Sequence, residues 1–303
     1  MKNIFIITFV LTYFVFGKTS YAQINDTIID TGKYNLHFSI IKGKGTPILF
    51  EAGSGNDGTV WKSIAKQVAK ITGTTVITYD RAGMGKSIIK DSNLNITNHK
   101  IQDGVEALEL GLKKLGYDNE IILVAHSFGG LYSTLFTARN KSKVSHIVFV
   151  DASIASFYTQ TFVEQLNKMA PESFLNQLKK QKSGLFYEIK NFDSTLSLLS
   201  KTKFPKTVPV IDLVASNPYN PFKNEADKNR WFKVHKQFTD ESPNRELFII
   251  NKANHYAFKS NPDMVVFQII KAYATSIEAS KSKEILLKAL QLSIKVVNPK
   301  TEN

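Results

Sequence analysis

Residues 121–130 read Ile-Ile-Leu-Val-Ala-His-Ser-Phe-Gly-Gly, an apolar strand that runs directly into a turn of small residues around one serine. A strand that reverses this sharply into a helix forces the middle residue of the turn into a strained backbone conformation, and its side chain then stands clear at the end of the sheet. The chain passes close to itself there, so the neighbours have to be small. Gly129 and Gly130 meet that requirement after Ser127, and Ala125 meets it before with a single methyl, a mild departure from the usual Gly-x-Ser-x-Gly. The pattern makes the Ser127 hydroxyl a candidate nucleophile. The same short motif also marks ordinary loops, so its flanks decide what it means.

The flanks alternate strands with helices. Residues 34–41 and 47–50 read as strands, and the second ends in the glycine-rich stretch Glu51-Ala52-Gly53-Ser54-Gly55. Trp61, Ile64, Ala65, Val68 and Ile71 fall on one helical face, and residues 75–79 form a short strand that opens into Asp80-Arg81-Ala82-Gly83-Met84-Gly85-Lys86-Ser87. Ile101, Val105, Leu108, Leu112 and Leu115 recur at helical spacing before the serine strand, and a further strand over residues 144–150 ends at Asp151. Apolar strands with little in/out alternation, separated by helices, predict an α/β fold with a mainly parallel sheet covered by helices on both faces. Such sheets gather ligands at the carboxyl ends of their strands, and Gly53, Asp80, Ser127 and Asp151 all lie just past a strand end.

From about 153 to 207 the pattern turns helical, with Phe162, Leu166 and Met169, then Phe174, Leu175 and Leu178, then residues 186–199. This stretch reads as an insertion that covers the strand ends as a lid, its aromatic side chains either lining a cavity or holding the lid helices together. Strands resume at 208–214 and 246–251, and helices over 261–274 and 283–297 close the chain. No repeat or linker divides residues 23–303, which read as one domain.

Composition narrows the chemistry. The 303 residues are 43% hydrophobic, enough for a sizeable core, and none is cysteine, which removes disulfides, thiolate metal sites and a cysteine nucleophile. The formal net charge of +13 comes from lysines scattered through polar stretches rather than interleaved with aromatics, so no nucleic-acid channel is expected. Residues 1–22 read as a secretory signal peptide: Lys2, an apolar run over 4–16, and Ser20-Tyr21-Ala22 as a small-residue cleavage site. The run is shorter than the roughly 20 residues that span a bilayer, and Lys18 closes it. The expectation is export to the periplasm or the medium, with no stable membrane insertion after cleavage.

Chain order supplies a further test. His255 follows the last strand, in Asn251-Lys252-Ala253-Asn254-His255-Tyr256, and the other histidines lack such a position. His126, beside the serine, is expected to point away from the hydroxyl and to support the turn. With Phe50-Glu51-Ala52-Gly53-Ser54-Gly55 after one strand, the Asp80 to Ser87 turn after the next and Ala125-His126-Ser127-Phe128-Gly129-Gly130 after the third, the chain resembles the α/β-hydrolase superfamily from about Asn35 to Ala274. The resemblance implies an α/β-hydrolase fold with a helical lid, and a serine hydrolase that cleaves a small-molecule carboxylic ester or lactone without cofactor or metal. Ser127 would attack, His255 would act as base, and the backbone N–H groups of Ser54 and Phe128 would form an oxyanion hole. Relatives with dehalogenase or epoxide-hydrolase chemistry place aspartate at the serine's position. An esterase resembling those that open macrolide lactones is a narrower form. Peptidase, thioesterase and perhydrolase activities use the same parts, and a non-catalytic ligand-binding protein on the same scaffold is the alternative class.

The acid is less determined. Many family members carry it just beyond the strand matching residues 208–214, where Ala215-Ser216-Asn217-Pro218-Tyr219-Asn220 offers no carboxylate. Others place an aspartate at the end of the preceding strand, which here is Asp151; a loop-capping role is its alternative. Asp212 lies within a strand and is expected to face away, and Glu225, Asp227 and Asp240 stand in reserve. Asp80 and Arg81 are expected to hold loops together, as an ion pair or through backbone hydrogen bonds. Glu51, close to the oxyanion loop, is expected to bear on substrate choice.

Overall fold

A computed structural model describes residues 24–90, 95–218 and 224–297. The expected signal peptide, and Tyr219 and Asn220, lie outside the described residues. At the centre is β6 (Ile121–His126), whose Ile121, Leu123 and Ala125 enter one apolar core while Ile122 and Val124 enter another on the opposite face. Burial on both sides is why this strand reads as an unbroken apolar run. It lies parallel between β3 (Ile48–Glu51) and β7 (Val144–Val150). β4 (Val76–Tyr79) continues the parallel sheet outside β3, and β8 (Val210–Asn217) and β9 (Arg245–Asn254) continue it beyond β7.

At the far edge β2 (Tyr34–Ile41) and β1 (Ile24–Asp30) add antiparallel strands, and the two-residue β5 (Ile88–Ile89) pairs with the start of β2. Among the described residues the order is β1-β2-β4-β3-β6-β7-β8-β9, with β5 on β2. The sequence pattern does not announce β1. It is an edge strand with no fully buried residue, and Ile28 is left 55% exposed, so no apolar face marks it.

α1 (Lys62–Thr72), α10 (Pro262–Ala274) and α11 (Ala279–Val297) cover one face of the sheet, and α2 (Ile101–Leu115) and α3 (Gly129–Arg139) cover the other. α9 (Ala257–Ser260) is a single turn after β9. Between β7 and β8 the chain forms α4 (Gln160–Lys168), α5 (Glu172–Lys180), α6 (Gly184–Lys190) and α7 (Phe192–Leu199). The pattern over 186–199 predicts continuous helix. The structure breaks it at Asn191, whose side-chain amide donates to the carbonyls of Ile96 and His99 and so ties the bend to the segment before α2. α8 (Glu225–Asp240), which the sequence pattern does not predict, buries Trp231 and Val234 against Val214 and Phe157. Among the described residues no helix is long and apolar enough to cross a membrane.

Candidate active site

At the end of β6 the backbone of Ser127 is left-handed, with φ 52°, which in a residue carrying a Cβ costs about 1–3 kcal/mol. The turn is held by the Ser127 carbonyl, which accepts from the N–H groups of Gly130 and Ser153, each at 2.8 Å. The loop after β3 abuts it so closely that a Cβ on Gly53 would stand 3.1 Å from the Ser127 Cβ and 2.8 Å from His126 Nδ1. Only glycine fits there. Ser127 itself is half-buried and faces a cavity.

Near the end of β9 Lys252 takes φ 59°, and the pairing with β8 shifts register between Ala215 and Asn217. His255 follows that irregularity. Its Nε2 lies 2.9 Å from Ser127 Oγ and its Nδ1 2.7 Å from Asp151 Oδ2. Asp151 is fully buried and also left-handed, φ 47°, and its second oxygen accepts from the Ala215 N–H and from Trp231 Nε1, each at 3.1 Å. A carboxylate only accepts, so the imidazole carries its proton on Nδ1 and leaves Nε2 to receive the serine hydroxyl. β8, which has no acid just past its end, thus supplies a backbone donor to the acid that follows β7. His126 points away from the hydroxyl and donates from Nε2 to the His255 carbonyl at 2.9 Å, its ring 4.6 Å from that of His255. Burial first, and the neighbouring His255 second, hold the His126 imidazole well below its ordinary pKa, so it is neutral.

The other carboxylates go elsewhere. Asp227 is taken up by Arg230 and Asp240 by Lys236, each at 2.7 Å on the same helix, and Glu225 is exposed at the start of α8. Asp151 holds the Nδ1 position for which these three stood in reserve. Asp212, in the middle of β8, meets His235 Nδ1 of α8 at 2.7 Å, both residues without exposure.

Asp80 and Arg81 do hold loops, though not as a pair with each other. Asp80 accepts from the N–H groups of Gly58 at 2.8 Å and Lys86 at 2.9 Å and lies 2.9 Å from His37 Nδ1. Arg81 reaches the loop after β3: Nη1 donates to Glu51 Oε1 and to the Ala52 carbonyl, each at 2.5 Å, and Nη2 to the Gly53 carbonyl at 2.6 Å. Its Nε donates to Glu188 Oε1 on α6 at 3.0 Å. Burial alone would depress the guanidinium, but Glu188 and Glu51 more than offset this and raise it above its ordinary value. Burial raises Glu51, and Arg81 opposes that rise. Glu51 accepts from Tyr79 as well and is 2% exposed, so it lies beneath the loop and outside the cavity wall, contrary to the role in substrate choice its position suggests.

The cavity beside Ser127 and His255 has a volume of about 390 Å³ and is walled by Phe157, Tyr158, Phe162 and Phe192 together with Leu166 and Met169. These aromatics also hold the insertion together; Phe157 packs 5.0 Å from Phe162 and 4.9 Å from Trp231. Ser54 and Phe128 both line the cavity, and among the described residues the backbone N–H of neither meets a hydrogen-bond acceptor. Two residues of the site escape the sequence reading. Trp231 has its signal in the 231, 234, 238 spacing of α8, and Glu188 in being a carboxylate set between Phe186, Tyr187 and Ile189.

A family model described as the alpha/beta hydrolase fold matches residues 46–232. The chain is 30% identical over 125 residues to the uncharacterized protein YqjL of Bacillus subtilis (strain 168), a match covering 41% of this chain and 47% of that protein. It is 28% identical over 137 residues to a proline iminopeptidase of Lactobacillus delbrueckii subsp. lactis, covering 44% of this chain and 46% of the relative. The chain therefore spans less than half the length of each of these relatives. Among solved structures, a Vigna radiata epoxide hydrolase mutant matches with a TM-score of 0.62 at 14% identity, over 81% of this chain and 97% of that one, which is a likeness of fold. Matched by the family model over more than half its length, and built on the sheet and serine turn described above, the chain belongs to the α/β-hydrolase fold family.

Proposed function

We propose that the protein is an exported serine hydrolase that cleaves a carboxylic ester or lactone through an acyl-enzyme. The observation that carries this reading is the hydrogen-bonded line from Ser127 Oγ through His255 to buried Asp151, opening on an apolar cavity. His255 Nε2 takes the hydroxyl proton as Oγ attacks the carbonyl carbon, and Asp151 stabilises the imidazolium so formed. The carbonyl oxygen becomes an oxyanion that accepts from the Ser54 and Phe128 N–H groups; losing one such donor typically costs about 3 kcal/mol of transition-state stabilisation. The C–O bond of the ester then breaks, and His255 returns its proton to the departing alkoxide. Water, deprotonated by the same imidazole, attacks the acyl-serine and restores the free enzyme.

The cavity wall favours an uncharged, largely apolar acyl or alcohol part, held under the insertion as under a lid. A macrocyclic lactone is the narrower substrate we put forward. The similarity to a proline iminopeptidase favours a second reading, an aminopeptidase on the same parts. Against it, the carboxylate that lines the cavity, Glu188, is already engaged by Arg81, Ser54 and Gly55, which leaves it committed before a substrate ammonium arrives.

The test is a turnover panel of p-nitrophenyl esters of increasing chain length, macrocyclic lactones and proline p-nitroanilide, run on wild type and Ser127→Ala. Ester or lactone turnover that disappears in the variant is expected. Turnover of the anilide alone would move the function to the peptidase reading, and activity surviving in the variant would end the serine mechanism. A non-catalytic binding protein would take no fluorophosphonate label at Ser127.

A further inference from the structure

Arg81 is a buried cation with no place in the proton relay, and its donors converge on one short piece of backbone. The peptide unit between Gly53 and Ser54 is planar and trans, so its C=O and N–H point in opposite directions. Arg81 Nη2 grips the C=O at 2.6 Å, and Nη1 grips the carbonyl one residue earlier at 2.5 Å. A guanidinium is a rigid fork, so two consecutive carbonyls held by its two amino groups fix two consecutive peptide planes. The N–H thereby aimed the other way is that of Ser54, one of the two proposed oxyanion donors. A charge-assisted bond on the carbonyl also polarises the amide and strengthens its N–H as a donor.

The far side of the guanidinium is held by the insertion. Glu188 on α6 meets Arg81 through Oε1, and its Oε2 accepts from Ser54 Oγ at 2.6 Å and from the Gly55 N–H at 3.3 Å. Ser54 is therefore gripped through the preceding carbonyl, through its own hydroxyl and through the next N–H. The start of α6 is seated without slack: the Gly184 N–H donates to the Gly83 carbonyl at 2.9 Å, and a Cβ on Gly184 would fall 2.3 Å from the Ala82 carbonyl oxygen.

We propose that Arg81 is the positioning residue for the oxyanion donor of Ser54, and that Glu188 makes its alignment conditional on the seating of α6 against the loop after β4. This rests on the serine-hydrolase reading above and adds to it a specific link between the helical insertion and the reaction centre. The site is chemically complete only when the insertion is docked.

The test uses the full chain, the best p-nitrophenyl ester of the panel, and a trifluoromethyl ketone of matching chain length, which forms a tetrahedral adduct bearing the same oxyanion. Arg81→Lys keeps the charge and loses the fork. It is expected to lower kcat by about 10- to 100-fold with KM within about threefold, and to weaken ketone inhibition by the same factor as kcat. Glu188→Gln is expected to lower both by about 3- to 10-fold, and Ser54→Ala, which leaves the peptide in place, by a similar factor. If the Arg81 variant does not fold, the Glu188 and Ser54 variants decide on the same two readouts. Folded variants with kcat and ketone affinity both within about twofold of wild type would overturn the proposal, as would a loss confined to KM or melting temperature. A loss at Arg81 with none at Glu188 would overturn the link to α6. Failure of the serine-hydrolase reading is separable, because it appears in the wild type as missing fluorophosphonate labelling of Ser127.

Discussion

Two histidine–aspartate pairs sit on neighbouring strands of this sheet with the same geometry and different fates. His255 and Asp151 meet at 2.7 Å, and so do His235 and Asp212. Asp212 lies mid-strand, opposite Phe149 of β7, while Asp151 comes two residues later, beyond the strand end. The mid-strand pair is sealed: neither residue is exposed, and His235 Nε2 and Asp212 Oδ1 meet no hydrogen-bond partner among the described residues. The strand-end pair has its free oxygen bonded by Ala215 and Trp231 and its free nitrogen bonded by a reachable hydroxyl. The pair alone is thus a packing unit. What we propose makes one copy a catalyst is two residues of advance along the sheet, which brings it to the loops, the cavity and Ser127.

The comparison can be broken most forcefully at the serine. Ser127→Ala is expected to lower kcat on the order of 10⁶-fold, read by steady-state kinetics on the best ester. Asp151→Asn, which leaves the imidazole in the wrong tautomer, is expected to cost about 10⁴-fold with folding retained. Its counterpart Asp212→Asn should leave turnover within about twofold and lower the unfolding free energy by about 1–3 kcal/mol in urea titration. Loss of turnover in that variant would erase the distinction between the pairs. Trp231→Phe removes one donor from Asp151 and should reduce kcat about tenfold while the ring packing is kept.

A pH scan of stability probes two further sealed groups, His126 and Glu51, which lie outside the cavity wall. The pKa of His126 is depressed below its ordinary 6.5, so the unfolded chain takes up a proton that the folded chain refuses. Its contribution is complete above 6.5 and is lost as pH falls towards the folded value, with a slope of up to about 1.4 kcal/mol per pH unit. Glu51 acts in the opposite sense: its folded pKa is raised above 4.5, so its contribution is complete below 4.5 and is lost as pH rises towards the folded value. His126→Gln should flatten the acid-side loss and Glu51→Gln the loss on raising pH, both read as unfolding free energy against pH. The smallest effect belongs to the exposed pair Lys236–Asp240, where Asp240→Asn should change stability by less than about 0.5 kcal/mol and turnover not at all.

What the sequence discloses follows what each element must bury. β3, β4, β6 and β7 are apolar on both faces, and the loops after them are short, so strand ends and the residues just past them are legible. That covers Ser127, Asp151, Gly53 and Asp80, and the order of motifs adds His255. The edge strand β1 has no buried face to read, and α8 hides its two buried anchors among charges. The partners of Arg81 are illegible for another reason. Glu51 and Glu188 are far apart along the chain and are brought together only by the close passage of Gly184 past the loop after β4. The same holds for Trp231 on Asp151, a contact made by a helix whose existence the pattern conceals.

The placement of Asp151 at the end of β7 has a practical consequence for engineering. β6, α3 and β7 form a single strand–helix–strand unit, so the proposed nucleophile and its acid are inherited as one cassette of contiguous chain. Moving residues 121–151 into a related sheet would transplant both together with the Phe128 N–H, and the recipient would need to furnish an imidazole and an indole of the right reach, the backbone donor of the next strand and the second oxyanion donor.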